Sequence, residues 1–390
     1  MAKFSFTSLL VLALAGGHVQ AADPTFTNVA HLNGLAYSGP SQGDQPVFAY
    51  RGTSAIAQSH HGNTWPVLHR QGSRWVPVAS VLPQGSDGHG CSAADVTNPA
   101  LTGRDGLIDL ICTKGGCHGS CGQPFNKELW VQRPEGGFVN LAASTPMQQP
   151  HSRGRDTAVG ALTDGRQVVA FANEASQRFP AESIDRAYLQ SGGRFTELPL
   201  LNAAGTGRAN TTGFCAATLS RGPNMPNLLF CDEARVNVYR WTGSSYRLTQ
   251  PYGDFRAKDL LVTDVDGNGS QDILTVVANR LTLRLGGITE VKLASLVRGY
   301  ALARGDMNCD GLPDILVVQG AQAGNAHALL LNNGDGLSYR RLPVAGCGTG
   351  SGDSASYVAN ADGANRPGML ISHGHFTNGQ TFLVQSSCTR

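Results

Sequence analysis

Apolar residues along this chain fall in short runs of three to five, bounded by Gly, Asn, Asp and Ser, a pattern that predicts brief strands joined by tight turns rather than helices. The clearest unit has four parts: a short strand, an Asp/Asn/Gly loop, an apolar strand, then a third strand that turns through Gly into an aromatic-led fourth. Leu260-Leu261-Val262 leads through residues 264–272 into Ile273-Leu274-Thr275-Val276-Val277. Ala301-Leu302-Ala303 leads through residues 306–314 into Ile315-Leu316-Val317-Val318. These are two copies of one unit of roughly 50 residues.

The closing hairpin recurs around the chain. Gly72 precedes Trp75, Gly136-Gly137 precede Phe138, Gly192-Gly193 precede Phe195, and Gly243 precedes Tyr246. Gly286-Gly287 before Ile288 and Gly334 to Gly336 before Tyr339 continue the series. Glycine serves turns that need positive φ, and the large residue after it packs on a neighbouring sheet. A seventh unit begins near Ser356, passes through Gly368-Met369-Leu370-Ile371-Ser372 and stops at Thr381-Phe382-Leu383-Val384, one strand short. Thr25-Phe26-Thr27-Asn28-Val29 resembles the missing strand. The expected fold is therefore all-β: a seven-bladed β-propeller of four-stranded antiparallel blades, closed by the N-terminal strand joining the last blade. An open β-solenoid or two sandwiches are the alternatives.

Two loops carry candidate chemistry. In the first, Asp264, Asp266, Asn268 and Asp272 offer side-chain oxygens at positions 1, 3, 5 and 9, with the Ser270 carbonyl at position 7. In the second, Asp306, Asn308, Asp310 and Asp314 repeat the spacing, with the Leu312 carbonyl at position 7. Alternate residues face one side of a tight loop, and hard oxygen donors of net negative charge suit Ca²⁺ over softer metals. An EF-hand would end in Glu at position 12 between helices, whereas these loops end in Asp at position 9 and run into β-branched strands. Turn preference alone, without an ion, is the competing explanation.

Followed by Ile-Leu-x-Val-Val, these loops resemble the FG-GAP or VCBS repeats of integrin α-subunit propellers. The resemblance is specific in those two units and only patterned elsewhere. It implies that the loop joins the first and second strands of a blade and binds calcium, and that one face meets a protein or glycan. A third loop keeps Asp105 and Asp109 but sets Asp95 six residues too early, so a calcium site of Asp95, Asp105 and Asp109 requires residues 97–104 to bulge outward. The corresponding stretches at 161–166, 218–226 and 360–368 are too short or have lost ligands, and are expected not to bind.

Composition narrows the setting. With 49 Gly and 15% charged residues the chain suits many turns and short strands. Lys3, the apolar run from Leu9 to Ala15 and Val19-Gln20-Ala21 read as a secretory signal over residues 1–21, leaving 22–390 as a single propeller domain, periplasmic or secreted. No later stretch approaches the ~18 unbroken apolar residues of a membrane span. The formal charge is +2 and no Lys/Arg block is interleaved with aromatics, so nucleic acid is not an expected partner.

Export makes disulfides the default for the nine cysteines. Cys91 and Cys215 occupy matching places in first strands, and Cys112 and Cys231 close second strands, which predicts the pairs Cys91–Cys112 and Cys215–Cys231. Cys117–Cys121 is either a small disulfide loop or part of a soft-metal site; Cys309, Cys347 and Cys388 are left unassigned. Histidines gather on the face opposite the acidic loops, where His60, His61, His89, His118, His373 and His375 form a candidate transition-metal set, with His151 and His327 on the same face. A solvated polar surface is the plainer reading.

No Gly-x-Ser-x-Gly, His-Glu-x-x-His or phosphate loop names a reaction. The leading expectation is a calcium-binding module for a protein or glycan partner. An enzyme at the central channel, with His89, His118 or His373 as base, or a structural envelope component, are the alternatives.

Overall fold

The computed structural model describes residues 24–28, 45–58, 65–81, 88–115, 127–148, 152–176, 180, 183–220, 225–232, 234–249, 257–277, 279–286, 289–295, 299–320, 327–344, 347, 352–373 and 380–388. These build seven antiparallel sheets arranged in a ring. The first blade holds Val47–Tyr50, Thr53–Ala57, Trp65–Gln71 and Arg74–Val81, and the second Gly88–Ala94, Asp109–Lys114, Glu128–Gln132 and Phe138–Asn140. The third holds Arg153–Ala161, Gln167–Glu174, Arg186–Ser191 and Arg194–Leu198; the fourth holds Cys215–Leu219, Asn227–Cys231, Val236–Trp241 and Tyr246–Thr249. The fifth runs Asp259–Thr263, Asp272–Val277, Arg280–Leu285 and Thr289–Ser295, and the sixth Gly299–Gly305, Asp314–Gln319, Ala328–Asn332 and Tyr339–Pro343. The seventh comprises Gly352–Val358, Gly368–His373 and Gln380–Ser386, with Phe26–Asn28 hydrogen-bonded antiparallel to the last of these. In that pairing Phe26 stands opposite Ser386 and Asn28 opposite Val384.

One strand was not expected. Leu200–Leu201 adds to the fourth blade, parallel to its outer strand at Tyr246 and Arg247. The only helix among the described residues is a single 3-10 turn, Ala142–Ser144.

Strand periodicity explains why these sheets need neighbours. Along each second strand, side chains alternate between two faces, and both faces are buried. Leu110 packs toward the first blade beside Trp65, while Ile111 packs toward the third beside Phe171. Leu274 meets Val317 of the sixth blade; Ile273 meets Leu229 of the fourth. The same alternation continues through Val168 with Phe230, Leu316 with Ile371, and Leu370 with Ile56. One apolar cluster thus lies between every consecutive pair of blades, including the seventh and the first. This two-sided burial is why the second strands read as unbroken apolar runs.

Three disulfides among the described residues add covalent links. Cys91–Cys112 and Cys215–Cys231 join residues that stand directly opposite in the first and second strands of their blades, as the spacing predicts. Cys309–Cys388 joins the sixth blade's acidic loop to the residues after the last strand of the seventh, across 79 positions of sequence. Cys347 is buried and unbridged, and Cys117 and Cys121 lie outside the described residues. Closing a loop of that length restricts the unfolded chain most strongly, so Cys388→Ala is expected to cost about 4 kcal/mol. Urea unfolding of the oxidised protein and the variant checks this; matching midpoints would contradict it.

Candidate functional site

Each acidic loop joins the first and second strands of its blade. In the fifth blade, carboxylate oxygens of Asp264, Asp266 and Asp272 lie within 4.8 Å of one another. The loop is wound around these acids: Asn268 N–H donates to Asp264 Oδ1 and Asp266 Oδ1, both at 3.1 Å, and Gly269 N–H donates to Asp264 Oδ2 at 2.8 Å. Gly267 and Gly269 take φ of 72° and 83°, which only glycine adopts freely. Ser270 N–H bonds Asn268 Oδ1, completing the turn.

The sixth blade repeats this winding. Asp310 N–H and Gly311 N–H reach Asp306 at 3.0 and 3.1 Å, and Leu312 N–H reaches Asp310 Oδ1 at 2.8 Å. Where the sister loop has Gly267, this one has Cys309 at φ 60°, a left-handed conformation unusual for a side-chain-bearing residue. Its bridge to Cys388 anchors that residue, and Ser386 Oγ donates to Met307 O at 2.7 Å beside it. Among the described residues only the fifth blade's loop gathers three acidic side chains as closely as 4.8 Å.

The ninth-position acid has a second role that spacing alone did not reveal. Asp272 accepts Val265 N–H with one oxygen and Gly286 N–H with the other. Asp314 does the same with Met307 and Asn332, and Asp109 with Val96, Thr97 and Gln132. Each acid therefore ties its loop to the hairpin between the third and fourth strands. Burial pushes Asp109 and Asp314 up to about 7 and raises Asp272, against the lowering effect of those N–H donors. A cation beside Asp314 or Asp272 would draw each acid back toward its ionised form.

In the other loops, arginine stands against the acid. Arg104 Nε donates to Asp95 Oδ2 at 3.3 Å, and Asp95 also accepts Asp105 N–H and Gly106 N–H. Asp105 turns to Leu107 N–H, and Asp109 is occupied as above, so Asp95, Asp105 and Asp109 each serve protein donors. Arg166 Nε meets Asp164 at 2.8 Å in the third blade, and Arg366 Nε meets Asp362 at 2.6 Å in the seventh. Three loops expected to bind poorly or not at all thus carry a guanidinium within their own sequence.

The opposite face holds buried ionisable groups. His89 faces the Arg155 guanidinium, which also binds Glu174; Arg153 reaches Glu174 at 3.0 Å. Lys127 is buried with its ammonium pushed down to about 7 by desolvation, donating to Asn173 Oδ1 and lying 5.3 Å from the Phe171 ring centre. Asp185, equally buried, is pushed up to about 7. Neither was singled out from sequence, because a lone Lys or Asp beside a strand carries no spacing signal.

His373 and His327 meet across the seam of the sixth and seventh blades, with Nε2 atoms 2.6 Å apart. His327 Nδ1 accepts Gln319 N–H at 3.1 Å, which puts its proton on Nε2, facing the lone pair of His373 Nε2. In this arrangement both Nε2 positions are committed to each other. His89 and His373 sit in the second and seventh blades, each in its own hydrogen-bonded nest; His60, His61, His118, His151 and His375 lie outside the described residues. The pairing of His373 with His327 depends on blade packing and had no sequence signature.

No protein-family model matches this chain, and no curated protein matches it in sequence. Among solved structures, BBS1N in complex with ARL6DN, soaked with lead, aligns with a TM-score of 0.54 at 10% identity, covering 94% of this chain and 96% of that one. The α-L-arabinofuranosidase Arb93A from Fusarium graminearum, in complex with an iminosugar inhibitor, aligns with a TM-score of 0.48 at 8% identity over 93% and 97% of the two chains. The GH43_1 enzyme from Xanthomonas citri complexed with xylose reaches 0.35 at 15% identity, over 66% of this chain and 91% of that one. The first likeness supports the seven-bladed fold and nothing finer. No helix among the described residues is long and apolar enough to cross a membrane.

Burial pushes His327 and His373 down to about 4, so the folded protein keeps both rings neutral while the unfolded chain protonates them near pH 6.5. Their contribution to stability is full above pH 6.5 and is lost as pH falls toward 4. A His327→Gln, His373→Gln variant is expected to lose less stability than wild type across that window, read as urea midpoints at several pH values. Parallel pH dependences would contradict the assignment.

Proposed function

We propose that this protein is an exported interaction module, a propeller whose fifth- and sixth-blade loops hold calcium and whose surface engages a protein or glycan. The observation that carries the calcium reading is the convergence of Asp264, Asp266 and Asp272 to within 4.8 Å. Three carboxylates this close repel one another by about 1 kcal/mol per pair even in bulk water, and a bound cation reverses the sign. The donors fit: side-chain oxygens of Asp264, Asp266, Asn268 and Asp272 with the Ser270 carbonyl, and Asp306, Asn308, Asp310 and Asp314 with the Leu312 carbonyl, are all hard oxygens. The FG-GAP/VCBS resemblance points the same way.

An exported setting is supported by three disulfides, which persist in oxidising compartments. A binding role is supported by the fold, since the similar BBS1N structure is a complex with ARL6DN. Calcium here would be structural, neutralising loops that otherwise repel.

Calorimetry on chelator-stripped protein is expected to show two Ca²⁺ sites with dissociation constants at or below about 1 mM. Asp266→Asn removes one of them without disturbing contacts elsewhere, because among the described residues Asp266 bonds only within its own loop. Absence of calcium-dependent heat, or an unchanged stoichiometry in Asp266→Asn, would overturn the calcium reading. Capture of protein or glycan from the surrounding medium, compared with and without Ca²⁺, tests the binding role separately.

A further inference from the structure

The innermost strand of each blade leaves one edge unpaired, facing the ring axis. Main-chain N–H groups on that edge need acceptors, and among the described residues two carboxylates serve as such. Asp156, on the third blade's inner strand, accepts Ala216 N–H of the fourth blade at 2.8 Å, and also its own neighbour Thr157 N–H. Asp259, on the fifth blade's inner strand, accepts Leu302 N–H of the sixth at 2.8 Å and Leu260 N–H at 2.7 Å. The channel wall is thus chemically suited to carboxylates, as Asp156 and Asp259 show.

Arg304 lies two residues beyond Leu302 on the same strand. The register from Ala301 opposite Val318 to Arg304 opposite Ile315 is unbroken. Antiparallel pairs alternate in the direction of their N–H groups. Because Leu302 directs its N–H away from the second strand and toward Asp259, Arg304 directs its own N–H to the same free edge. Its side chain is exposed and, among the described residues, makes no hydrogen bond or ion pair. Arg304 therefore brings a charged fork and a main-chain donor to one place.

That place is a cavity of about 330 Å³ lined by inner strands of several blades. Its walls include Val47, Leu260 and Leu302, which are apolar. Among its other polar groups, the Asp259 oxygens hold main-chain N–H groups, Ser356 Oγ donates to Gln45 O at 2.5 Å, Tyr357 OH donates to Asp306 O at 3.3 Å, and Gln45 Nε2 donates to Ser354 Oγ at 2.7 Å; Gln45 Oε1, an acceptor only, is buried without a hydrogen-bond partner among the described residues. A cavity with one uncommitted guanidinium and apolar walls selects a small molecule with one negative end and a short hydrocarbon body. Its volume holds about ten waters, so the body is a few carbons long.

We propose that the axial channel is a binding site for a small organic carboxylate, held by the Arg304 guanidinium and main-chain N–H with its apolar part against Leu260, Leu302 and Val47. The carboxylate accepts the paired N–H bonds of the guanidinium, and the N–H of Arg304 takes the place that Leu302 N–H gives to Asp259. This inference does not depend on the calcium reading.

The test uses propionate as probe and propionamide as its uncharged counterpart, titrated into the full chain by saturation-transfer NMR. Propionate is expected to saturate with a dissociation constant on the order of 1 mM, propionamide to bind at least about tenfold more weakly. Arg304→Gln reduces propionate affinity by a similar factor. Arg304→Lys recovers part of it, keeping the charge but losing the fork. Since the Arg304 side chain has no hydrogen-bond or ion-pair partner to lose among the described residues, the unfolding midpoint of Arg304→Gln is expected to match wild type, confirming a folded variant. Equal binding of propionate and propionamide, undiminished propionate binding by Arg304→Gln, or no saturable signal in wild type would each overturn the proposal.

Discussion

Each sheet of this molecule is apolar on both faces, and that constraint organises everything else. A four-stranded sheet with Leu110 on one side and Ile111 on the other cannot leave either side in water; full burial of such a side chain is worth about 1.5–3 kcal/mol. A stack of such sheets would expose two apolar ends. Curving the stack until Ile56 of the first blade meets Leu370 of the seventh removes both. The ring then fixes where polar chemistry can go: into the loops of two opposite faces and onto the inner edges around the axis.

On the acidic-loop face, the same turn is stabilised in two chemically different ways. In the second, third and seventh blades an arginine from the loop itself meets the acid, as Arg366 meets Asp362. In the fifth and sixth blades no such arginine occurs in the loop sequence, and acids accumulate at alternate positions instead. In the proposed reading a calcium ion supplies there the charge that arginine supplies elsewhere. The ninth-position acids Asp109, Asp272 and Asp314 keep one job in both kinds of loop, tying the turn to the next hairpin through main-chain N–H groups.

Local rules made much of this legible in sequence. Hairpin glycines marked the third-to-fourth strand turns, apolar runs marked the second strands, and opposed cysteines in neighbouring strands gave Cys91–Cys112 and Cys215–Cys231. What escaped was set by contacts between blades. Cys309 and Cys388 lie 79 residues apart, and nothing local announces their meeting. His327 and His373 come from different blades, so their hydrogen bond appears only once the seam is packed. The arginines opposite Asp95, Asp164 and Asp362 were in plain view, but a loop that has lost ligands reads as degraded until a guanidinium is found on the remaining acid. The short strand Leu200–Leu201 has no period to detect at two residues long.

That division, between loops that carry arginine and loops proposed to hold calcium, is the point most open to test. The most direct measurement is a crystal structure grown in calcium, with anomalous diffraction collected at long wavelength to locate the ions. The account predicts peaks within residues 264–272 and 306–314, and none against Asp95, Asp164 or Asp362. Empty acidic loops at saturating calcium, or an ion in place of Arg104, Arg166 or Arg366, would contradict it.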